Sequence, residues 1–334
     1  MTSLASTLPV TIAALGRALA RGGTCALDTD VPAALWRRAL VQPAAEFLVR
    51  PGKSWRTAIA RAGAALAGGA PAELVVRVAT AIELVHGGSL IVDDVEDEAH
   101  ERRGAPALHR LIGAPLAINT GTWMYFWALA ELAELELPGA VELAVRSLVR
   151  CHQGQALDLA VRVTEMTRED TPRVVAAITR LKTGALCRLA GELGALAAGG
   201  SPDTVAAIAG FAESAGIALQ MLDDLGSFAC AARRAKGRED LAAARATWPW
   251  AWLAELDPPE RANAIEAARA VAAGHVDIAD ALAIEIAGAT AELGRARIRA
   301  ALDRALADLR GALGDHPAIA TIAADLSRME ASYV

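Results

Sequence analysis

Apolar residues recur at spacings of three and four along most of the chain, which is the period of amphipathic α-helices. No segment alternates apolar and polar residues between hairpin turns, as β-strands would. Proline and glycine mark the breaks between periodic segments. The pattern predicts helices at about residues 10–21, 32–49, 54–67, 71–99, 106–134, 138–164, 171–198, 201–228, 259–273, 277–288 and 290–313, and a short one in the last 20 residues.

Breaks and loops are predicted between some of these helices. Gly113-Ala114-Pro115 predicts a break within 106–134, and residues 231–240 are predicted to form a loop. No low-complexity linker or shift in composition divides the chain. Residues 1–334 are therefore expected to form a single all-α domain.

Composition supports this fold class. Of the 334 residues 54% are hydrophobic but only 4% aromatic, and alanine and leucine dominate, which favours helix. No uninterrupted apolar run reaches about 18 residues, so no membrane span is expected. The first residues lack the basic start and apolar core of a secretory signal, so a cytoplasmic location is expected.

The spacing of the cysteines and the net charge argue against several classes of site and partner. Cys25, Cys151, Cys187 and Cys230 show no C-x-x-C spacing, so neither a zinc site nor a disulfide framework is indicated. A net charge of −6 argues against a nucleic-acid partner. It does not argue against phosphorylated substrates, because a local cluster of cations can hold a diphosphate.

An acidic segment, Asp93-Asp94-Val95-Glu96-Asp97-Glu98, is followed closely by Arg102-Arg103-Gly104. Asp93 and Asp97 are four residues apart and so share one helix face. Carboxylates held this close need a positive partner, and oxygen ligands without His or Cys suit Mg²⁺. Since guanidinium groups pair with phosphate, the segment predicts a magnesium and phosphate site. A solvated acidic helix end is the alternative.

A second acidic pair, Asp223-Asp224, lies on the helix predicted at 201–228. Two acidic pairs on separate helices, each near cations, suggest that the helices face each other across a cavity and hold metal ions between them. Lys53 and Arg56 flank the start of the helix at 54–67, where cations oppose the helix dipole unless an anion binds. Two solvated cations are the alternative there.

With Lys182-Thr183, Gln220 and Lys236 added, these residues resemble the trans-isoprenyl diphosphate synthases, the polyprenyl synthetase family. The resemblance covers about residues 46–250 in the family's order, and the acidic segment with its two arginines is its most specific part. It implies an isoprenoid-synthase-type helical bundle around a central cavity and a homodimer. It also implies the condensation of an allylic prenyl diphosphate with isopentenyl diphosphate.

The resemblance assigns roles to individual positions. The implied contacts to isopentenyl diphosphate are Lys53, Arg56, His86 and Arg103. The implied metal ligands are Asp93, Asp97 and Asp223, and those touching the allylic substrate are Arg102, Lys182, Thr183, Gln220 and Lys236. The residues implied to stabilise the leaving diphosphate with Mg²⁺, and thus to be catalytic, are Asp93, Asp97, Arg102, Lys182, Asp223 and Lys236.

The chain departs from the family pattern in three places, one of which is Arg245, where the family has a Lys. Ser54 and Thr57 replace an Arg and a Pro in the Gly-Lys-Arg-x-Arg-Pro motif, and Ser227 replaces the last Asp of the second motif. Asp223-Asp224-Leu225-Gly226-Ser227 also resembles the start of a terpene cyclase motif, although its closing Glu is Ala231 here. A terpene cyclase on the same scaffold and a non-catalytic partner subunit are therefore the alternatives to a prenyltransferase.

Product length depends, in the family, on the fifth and fourth residues before the first Asp. Here these are Gly88 and Ser89, and small residues leave the tail pocket open. The resemblance implies a product of about geranylgeranyl length or longer, and predicts that Gly88→Phe shortens it. Aromatic residues of the next helix could close the same tunnel; they are Trp123, Tyr125, Phe126 and Trp127.

Overall fold

The computed structural model describes residues 27, 30–52, 54–331 and 333. The helix predicted at 10–21, Cys25 and Lys53 lie outside the described residues.

The described chain is built from helices, numbered here in chain order. The first, α1, runs through Ala33–Trp36, a π-helical turn at Arg37–Val41, and Gln42–Leu48. The next helices are α2 (Trp55–Leu66), α3 (Ala72–Glu96), α4 (Leu108–Ile112), α5 (Ala114–Ala133) and α6 (Ala140–Ala160). Then α7 runs through Asp170–Thr179, a π-helical turn at Arg180–Gly184, and Ala185–Ala197.

The remaining helices follow without a strand between them in the described chain. They are α8 (Pro202–Ala229), α9 (Arg234–Ala242), α10 (Trp248–Leu256), α11 (Arg261–Ala272), α12 (Ala279–Leu313) and α13 (Pro317–Ala331). Short 3-10 turns lie at Val163–Glu165, Ala231–Arg233 and Val276–Ile278. The predicted all-α class and most of the predicted helices are confirmed.

One small β-hairpin was not predicted. Strands β1 (Glu101–Arg102) and β2 (Ala105–Pro106) pair antiparallel, with Arg102 opposite Ala105. The two residues of the turn both have positive φ, 56° at Arg103 and 76° at Gly104. This is the geometry that two-residue hairpins need, and glycine adopts it without strain.

Three segments correct the sequence-based prediction. The loop predicted at 231–240 is wrong, because α9 begins at Arg234 and packs against α8 through Gly237. A Cβ at Gly237 would lie 2.4 Å from the Ser227 carbonyl oxygen, so this approach requires glycine. Helix α10 was missed because nearly every side chain in it is buried, which removes the amphipathic period. The helices predicted at 277–288 and 290–313 form one helix, α12.

The chain forms two compact units. One contains the described residues up to Arg146 together with Leu189–Val205, and the other contains Ser147–Arg188 together with the residues from Ala206 onward. The boundaries fall within α6, α7 and α8. The expectation of a single domain stays a prediction.

The first unit depends on close contact between the backbones of two helices, α3 and α5. A Cβ at Gly88 would lie 2.5 Å from the Gly121 carbonyl oxygen, and a Cβ at Gly121 would lie 2.8 Å from that of Gly88. In the same unit α2 meets the second half of α7 through Gly194, whose Cβ would meet the Ala60 carbonyl. Glycine is therefore required where these helices cross.

The second unit packs around the aromatic residues of α10. Trp252 is fully buried, and a Cβ at Gly294 in α12 would lie 2.6 Å from its ring. Trp250 joins a core cluster with Phe228 of α8 and Ile286 of α12.

Two helices, α3 and α8, are long and apolar enough to cross a membrane by length and composition. In each, 56% of the most apolar window is buried within the protein. Core helices of globular proteins pass the same test, so the expected absence of a membrane span stays a prediction.

The helix crossing at Gly88 generates a stability prediction. Gly88→Ala is expected to lower the free energy of unfolding by about 1–3 kcal/mol, because the added methyl group overlaps the Gly121 carbonyl. Thermal and urea unfolding followed by circular dichroism measures the change. As a matched control, Gly288→Ala on the exposed face of α12 meets no atom within 4 Å and is expected to raise stability by about 0.5–1 kcal/mol. Equal effects of the two substitutions would contradict the crossing.

Candidate functional site

The first unit gathers four arginines and one histidine around the acidic end of α3. Arg50 follows α1, Arg56 lies in the first turn of α2, His86 lies on α3, and Arg102 and Arg103 lie on the hairpin. Three of the residues predicted to hold isopentenyl diphosphate, Arg56, His86 and Arg103, thus lie in one unit. The fourth, Lys53, is outside the described residues.

The hairpin is held by a buried ion pair. Asp94 is 0% exposed, Arg102 Nε donates to its Oδ1 at 2.7 Å, and Arg102 Nη2 forms an ion pair with the same oxygen at 2.5 Å. Burial raises the pKa of Asp94, and the hydrogen bond and charge of Arg102 oppose the shift. A carboxylate so deeply buried needs this partner, so the pair fixes where the hairpin leaves α3.

Asp93 and Asp97 flank this buried pair at the end of α3. Asp93 is half-buried and lies 3.6 Å from the Arg102 guanidinium. Asp97 caps the helix, and its N–H donates to the Asp93 carbonyl. The two predicted metal ligands are therefore one helical turn apart.

The donor set fits a hard ion that takes part of its coordination from elsewhere. Among the described residues, no group of three or more His, Cys, Asp or Glu side chains could hold a metal ion by itself. Magnesium is commonly held by one or two carboxylates, with water and phosphate oxygens completing the octahedron. Asp93 and Asp97 supply such a pair, and neither thiolate nor imidazole is needed.

His86 and Arg56 form the next contact. The two side chains approach at 3.1 Å between a guanidinium nitrogen of Arg56 and Nε2 of His86. Burial, and then the charges of Arg56, Arg103 and Arg102, lower the pKa of His86 well below its usual value. A neutral imidazole can accept the hydrogen bond from Arg56, whereas an imidazolium cannot.

In the second unit, consecutive hydrogen bonds link Thr183, Gln220, Asp224 and Trp248. Thr183 donates to Gln220 Oε1 at 2.9 Å, and Gln220 donates to Asp224 Oδ1 at 2.7 Å. Asp224 Oδ2 accepts the Trp248 N–H at 3.0 Å. Burial raises the pKa of Asp224 to about 7, although the Trp248 hydrogen bond opposes the shift. The second Asp of this pair is thus used to hold α10 against α8.

Lys182 lies in the π-helical turn of α7. Its ammonium group pairs with Asp158 Oδ2 at 2.9 Å, and its backbone nitrogen would lie 2.7 Å from a Cβ at Gly154. π-Helical turns inside α-helices are frequent at functional sites. The close approach of α6 at Gly154 and the ion pair with Asp158 position the Lys182 side chain.

Asp223 is the first Asp of the second pair and is partly exposed. Its carboxylate pairs with the Arg233 guanidinium, which lies over the Tyr333 ring with its carbon 4.6 Å from the ring centroid. Ser227 is buried, and its hydroxyl donates to the Asp224 carbonyl. The hydroxyl therefore does not replace the missing carboxylate. Lys236 is exposed in the first turn of α9.

With this geometry in view, comparison with known proteins decides the family. Residues 37–284, most of the chain, match the model of the polyprenyl synthetase family. The chain belongs to the polyprenyl synthetase family.

Individual relatives agree with this assignment. The chain is 34% identical over 190 residues to a short chain isoprenyl diphosphate synthase of Methanothermobacter thermautotrophicus, covering 55% of this chain and 57% of the relative. It is 36% identical over 156 residues to a geranylgeranyl pyrophosphate synthase of Penicillium canescens, covering 46% and 44%. The chain thus spans about half the length of the curated relatives it matches.

A solved structure shows the same fold. The polyprenyl synthase of Caulobacter crescentus, complexed with calcium and isoprenyl diphosphate, superposes with a TM-score of 0.70 at 24% identity. The match covers 93% of this chain and 94% of the other. The fold of the polyprenyl synthetases, predicted from the motifs, is confirmed.

Gly88 lies where α3 crosses α5, and a Cβ there would lie 2.5 Å from the Gly121 carbonyl oxygen and 3.1 Å from the Tyr125 ring. Its small size therefore serves the helix crossing. That Gly88 leaves a tail pocket open, and that Gly88→Phe shortens the product, stays a prediction. Ser89 is half-buried and donates to the His86 carbonyl, so it remains the candidate length-determining position.

The aromatic cluster of α5 divides between core and surface. Trp127 is buried and donates to Glu131, whereas Phe126 is 70% exposed. Tyr125 is buried beside Gly88, and Trp123 stacks on Trp127 with ring centroids 4.9 Å apart. The exposed Phe126 does not belong to the core of its unit.

Several residues that shape the candidate site were not predicted from the sequence. They are Phe47, Arg50, Arg233 and Tyr333, together with Asp94 and Asp224 as structural rather than metal-binding carboxylates. Arg50 carried a usable signal, because Glu46 lies four residues before it and the two side chains pair at 2.8 Å. Contacts between residues far apart in sequence place others, such as Phe47 beside Arg103 and Tyr333 beside Arg233.

His86 generates a pH prediction. Because its pKa is lowered in the folded protein, the unfolded chain binds a proton below about pH 6.5 that the folded chain does not, and stability falls by up to about 1.4 kcal/mol per pH unit. Urea unfolding at pH 7.5 and 5.5 should show a larger loss for the wild type than for His86→Gln. The exposed His275→Gln serves as the control. An identical pH dependence in wild type and His86→Gln would contradict a neutral imidazole at His86.

Proposed function

We propose that this protein is a Mg²⁺-dependent prenyltransferase that condenses an allylic diphosphate with isopentenyl diphosphate to give a trans-polyprenyl diphosphate. The observation that carries the proposal is the presence of two separate cationic groups. One unit contains Arg56 and Arg103, and the other contains Lys182 and Lys236. A reaction between two diphosphates needs two such groups, whereas a terpene cyclase binds only one diphosphate.

The names of the relatives support the same activity. They include a short chain isoprenyl diphosphate synthase and a geranylgeranyl pyrophosphate synthase. The calcium in the Caulobacter crescentus complex supports a divalent ion, and the two-carboxylate donor set of Asp93 and Asp97 favours Mg²⁺ for this chain.

The reaction has three parts: the allylic diphosphate ionises, the isopentenyl double bond attacks the resulting carbocation, and a proton is lost. Bound Mg²⁺ ions would supply positive charge to the leaving diphosphate, and we propose Asp93, Asp97 and Asp223 as metal ligands. Arg102, Lys182 and Lys236 add preorganised positive charge for the same leaving group. No nucleophilic side chain is required.

Other cations of the first unit hold the second diphosphate. Arg56 and Arg103 provide N–H donors for phosphate oxygens, and Lys53 is proposed for the same role. Because the neutral His86 accepts from Arg56, it orients that guanidinium without adding charge. In the second unit, Thr183 and Gln220 are proposed to contact the allylic substrate, with Gln220 oriented by Asp224.

Turnover tests the proposal directly. Purified protein incubated with Mg²⁺ and geranyl or farnesyl diphosphate should form longer prenyl diphosphates only when isopentenyl diphosphate is added. Asp93→Asn should lower kcat by about a hundredfold or more, because charge stabilisation of the leaving group is lost. Glu98→Gln, on the exposed end of the same acidic segment, should have little effect. Hydrocarbons or alcohols formed without isopentenyl diphosphate would support a cyclase, and no turnover would support a partner subunit.

We also propose a product of geranylgeranyl length or longer. Ser89 is small and half-buried one turn before Asp93, so Ser89→Phe should shorten the main product by at least one five-carbon unit. Chromatography of the dephosphorylated products measures this, with Ser89→Ala as the control. An unchanged product distribution in a folded Ser89→Phe variant would contradict the assignment.

A homodimer is proposed from the family and from an apolar face of α5. Ile118 and Phe126 lie two helical turns apart and are 42% and 70% exposed. Light scattering should give the mass of two chains for the wild type and of one chain for Phe126→Asp. A monomeric wild type would contradict the proposal. The cytoplasmic location stays a prediction.

A further inference from the structure

Phe47 contacts two arginines of the first unit while being fully buried. It lies in the last turn of α1 with 0% exposure. The guanidinium carbon of Arg50 is 5.5 Å from its ring centroid, and that of Arg103 is 5.3 Å away. Both distances are within the range of cation–π attraction, which is strongest where water is excluded.

The two arginines differ in how their hydrogen-bond donors are used. Arg50 donates to both carboxylate oxygens of Glu46, at 2.9 and 2.8 Å, and to the Arg102 carbonyl at 3.0 Å. Its guanidinium therefore serves to tie α1 to the hairpin. Arg102 is similarly engaged, in a hydrogen bond and an ion pair with Asp94.

The Arg103 guanidinium lies over the Phe47 ring. The ring attracts this cation through its π-electrons, so the contact does not require any of the five N–H donors to bond to an oxygen. A Cβ at Gly52 would lie 3.1 Å from the guanidinium carbon of Arg103, so the backbone there closely approaches the same group. The positive φ of Arg103, 56°, is an uncommon conformation that such a fixed position can maintain.

The surroundings of Arg103 disfavour the positive charge of its own guanidinium. Burial and the charges of Arg102, Arg56 and Arg50 lower its pKa, and the charge of Glu83 opposes this. Glu83 itself accepts a hydrogen bond from Thr57 at 2.8 Å, at the position where the family motif has proline. The neighbouring arginines repel the Arg103 guanidinium, whereas the Phe47 ring attracts it. Because this attraction uses no N–H donor, the donors of Arg103 can bind an anion.

We propose that Phe47 is a positioning residue for Arg103, which it holds by a cation–π contact so that the N–H donors remain available to the diphosphate of isopentenyl diphosphate. This inference rests on the proposed function, since it assigns Arg103 to that substrate. It predicts a selective effect of Phe47 on one of the two substrates. A merely structural role in the core would instead weaken both.

The test is a double-mutant cycle on substrate binding. Dissociation constants for isopentenyl diphosphate and for farnesyl diphosphate are measured by calorimetry on wild type, Phe47→Leu, Arg103→Gln and the double variant. Phe47→Leu should weaken isopentenyl diphosphate binding by about 3- to 30-fold and leave farnesyl diphosphate binding within about twofold. In the Arg103→Gln background, Phe47→Leu should change the isopentenyl diphosphate constant by less than about twofold.

Control measurements keep the test decisive. Leu132→Ala, a buried substitution near the end of α5, monitors the effect of lost core packing and should leave both constants unchanged. Phe47→Tyr, which keeps the ring, should restore binding relative to Phe47→Leu. An equal loss for both substrates, or the same loss with and without Arg103, would overturn the role of Phe47 while leaving the proposed function intact. A wild type that binds farnesyl diphosphate but no isopentenyl diphosphate would overturn the proposed function and this inference with it.

Discussion

A carboxylate without access to water dictates the arrangement at the end of α3. Asp94 is fully buried, and an unpaired charge there would cost several kcal/mol, so Arg102 must lie beside it. Pairing Asp94 with Arg102 sets the position of the hairpin, and the hairpin in turn presents Arg103 beside Phe47 and Gly52. The ordered cations of the first unit therefore depend on a residue that is not expected to bind metal or substrate.

The second unit uses its buried carboxylate in the same way. Asp224 accepts from Gln220 and from the Trp248 backbone, which links the acidic pair to α7 through Thr183 and to α10. Asp223, beside it, is paired with Arg233 under Tyr333. In both acidic pairs the first Asp is the more exposed and the second is structural. Ser227 is buried and donates to the Asp224 carbonyl, so it belongs to the structural part of the second motif. Asp223 is more exposed and already pairs with a cation, Arg233.

The sequence predicted the helical class, most helix positions and the acidic pairs, because period and spacing are local properties. It did not predict what depends on tertiary contact. Helix α10 has no amphipathic period because it is buried on all sides, and α9 depends on the approach of Gly237 to Ser227. Gly88 was interpreted as pocket space, since sequence alone cannot show the Gly121 carbonyl opposite it. Phe47 was not singled out from the sequence, because one of its two arginine partners, Arg103, lies more than fifty positions away.

The central claim is that one chain binds two diphosphates at once. The most direct measurement is calorimetric titration of isopentenyl diphosphate into the protein saturated with Mg²⁺ and a non-ionisable thiolo analogue of farnesyl diphosphate. The account predicts one molecule of isopentenyl diphosphate bound per chain, with the analogue still bound. Displacement of the analogue by isopentenyl diphosphate, showing a single shared diphosphate site, would contradict it.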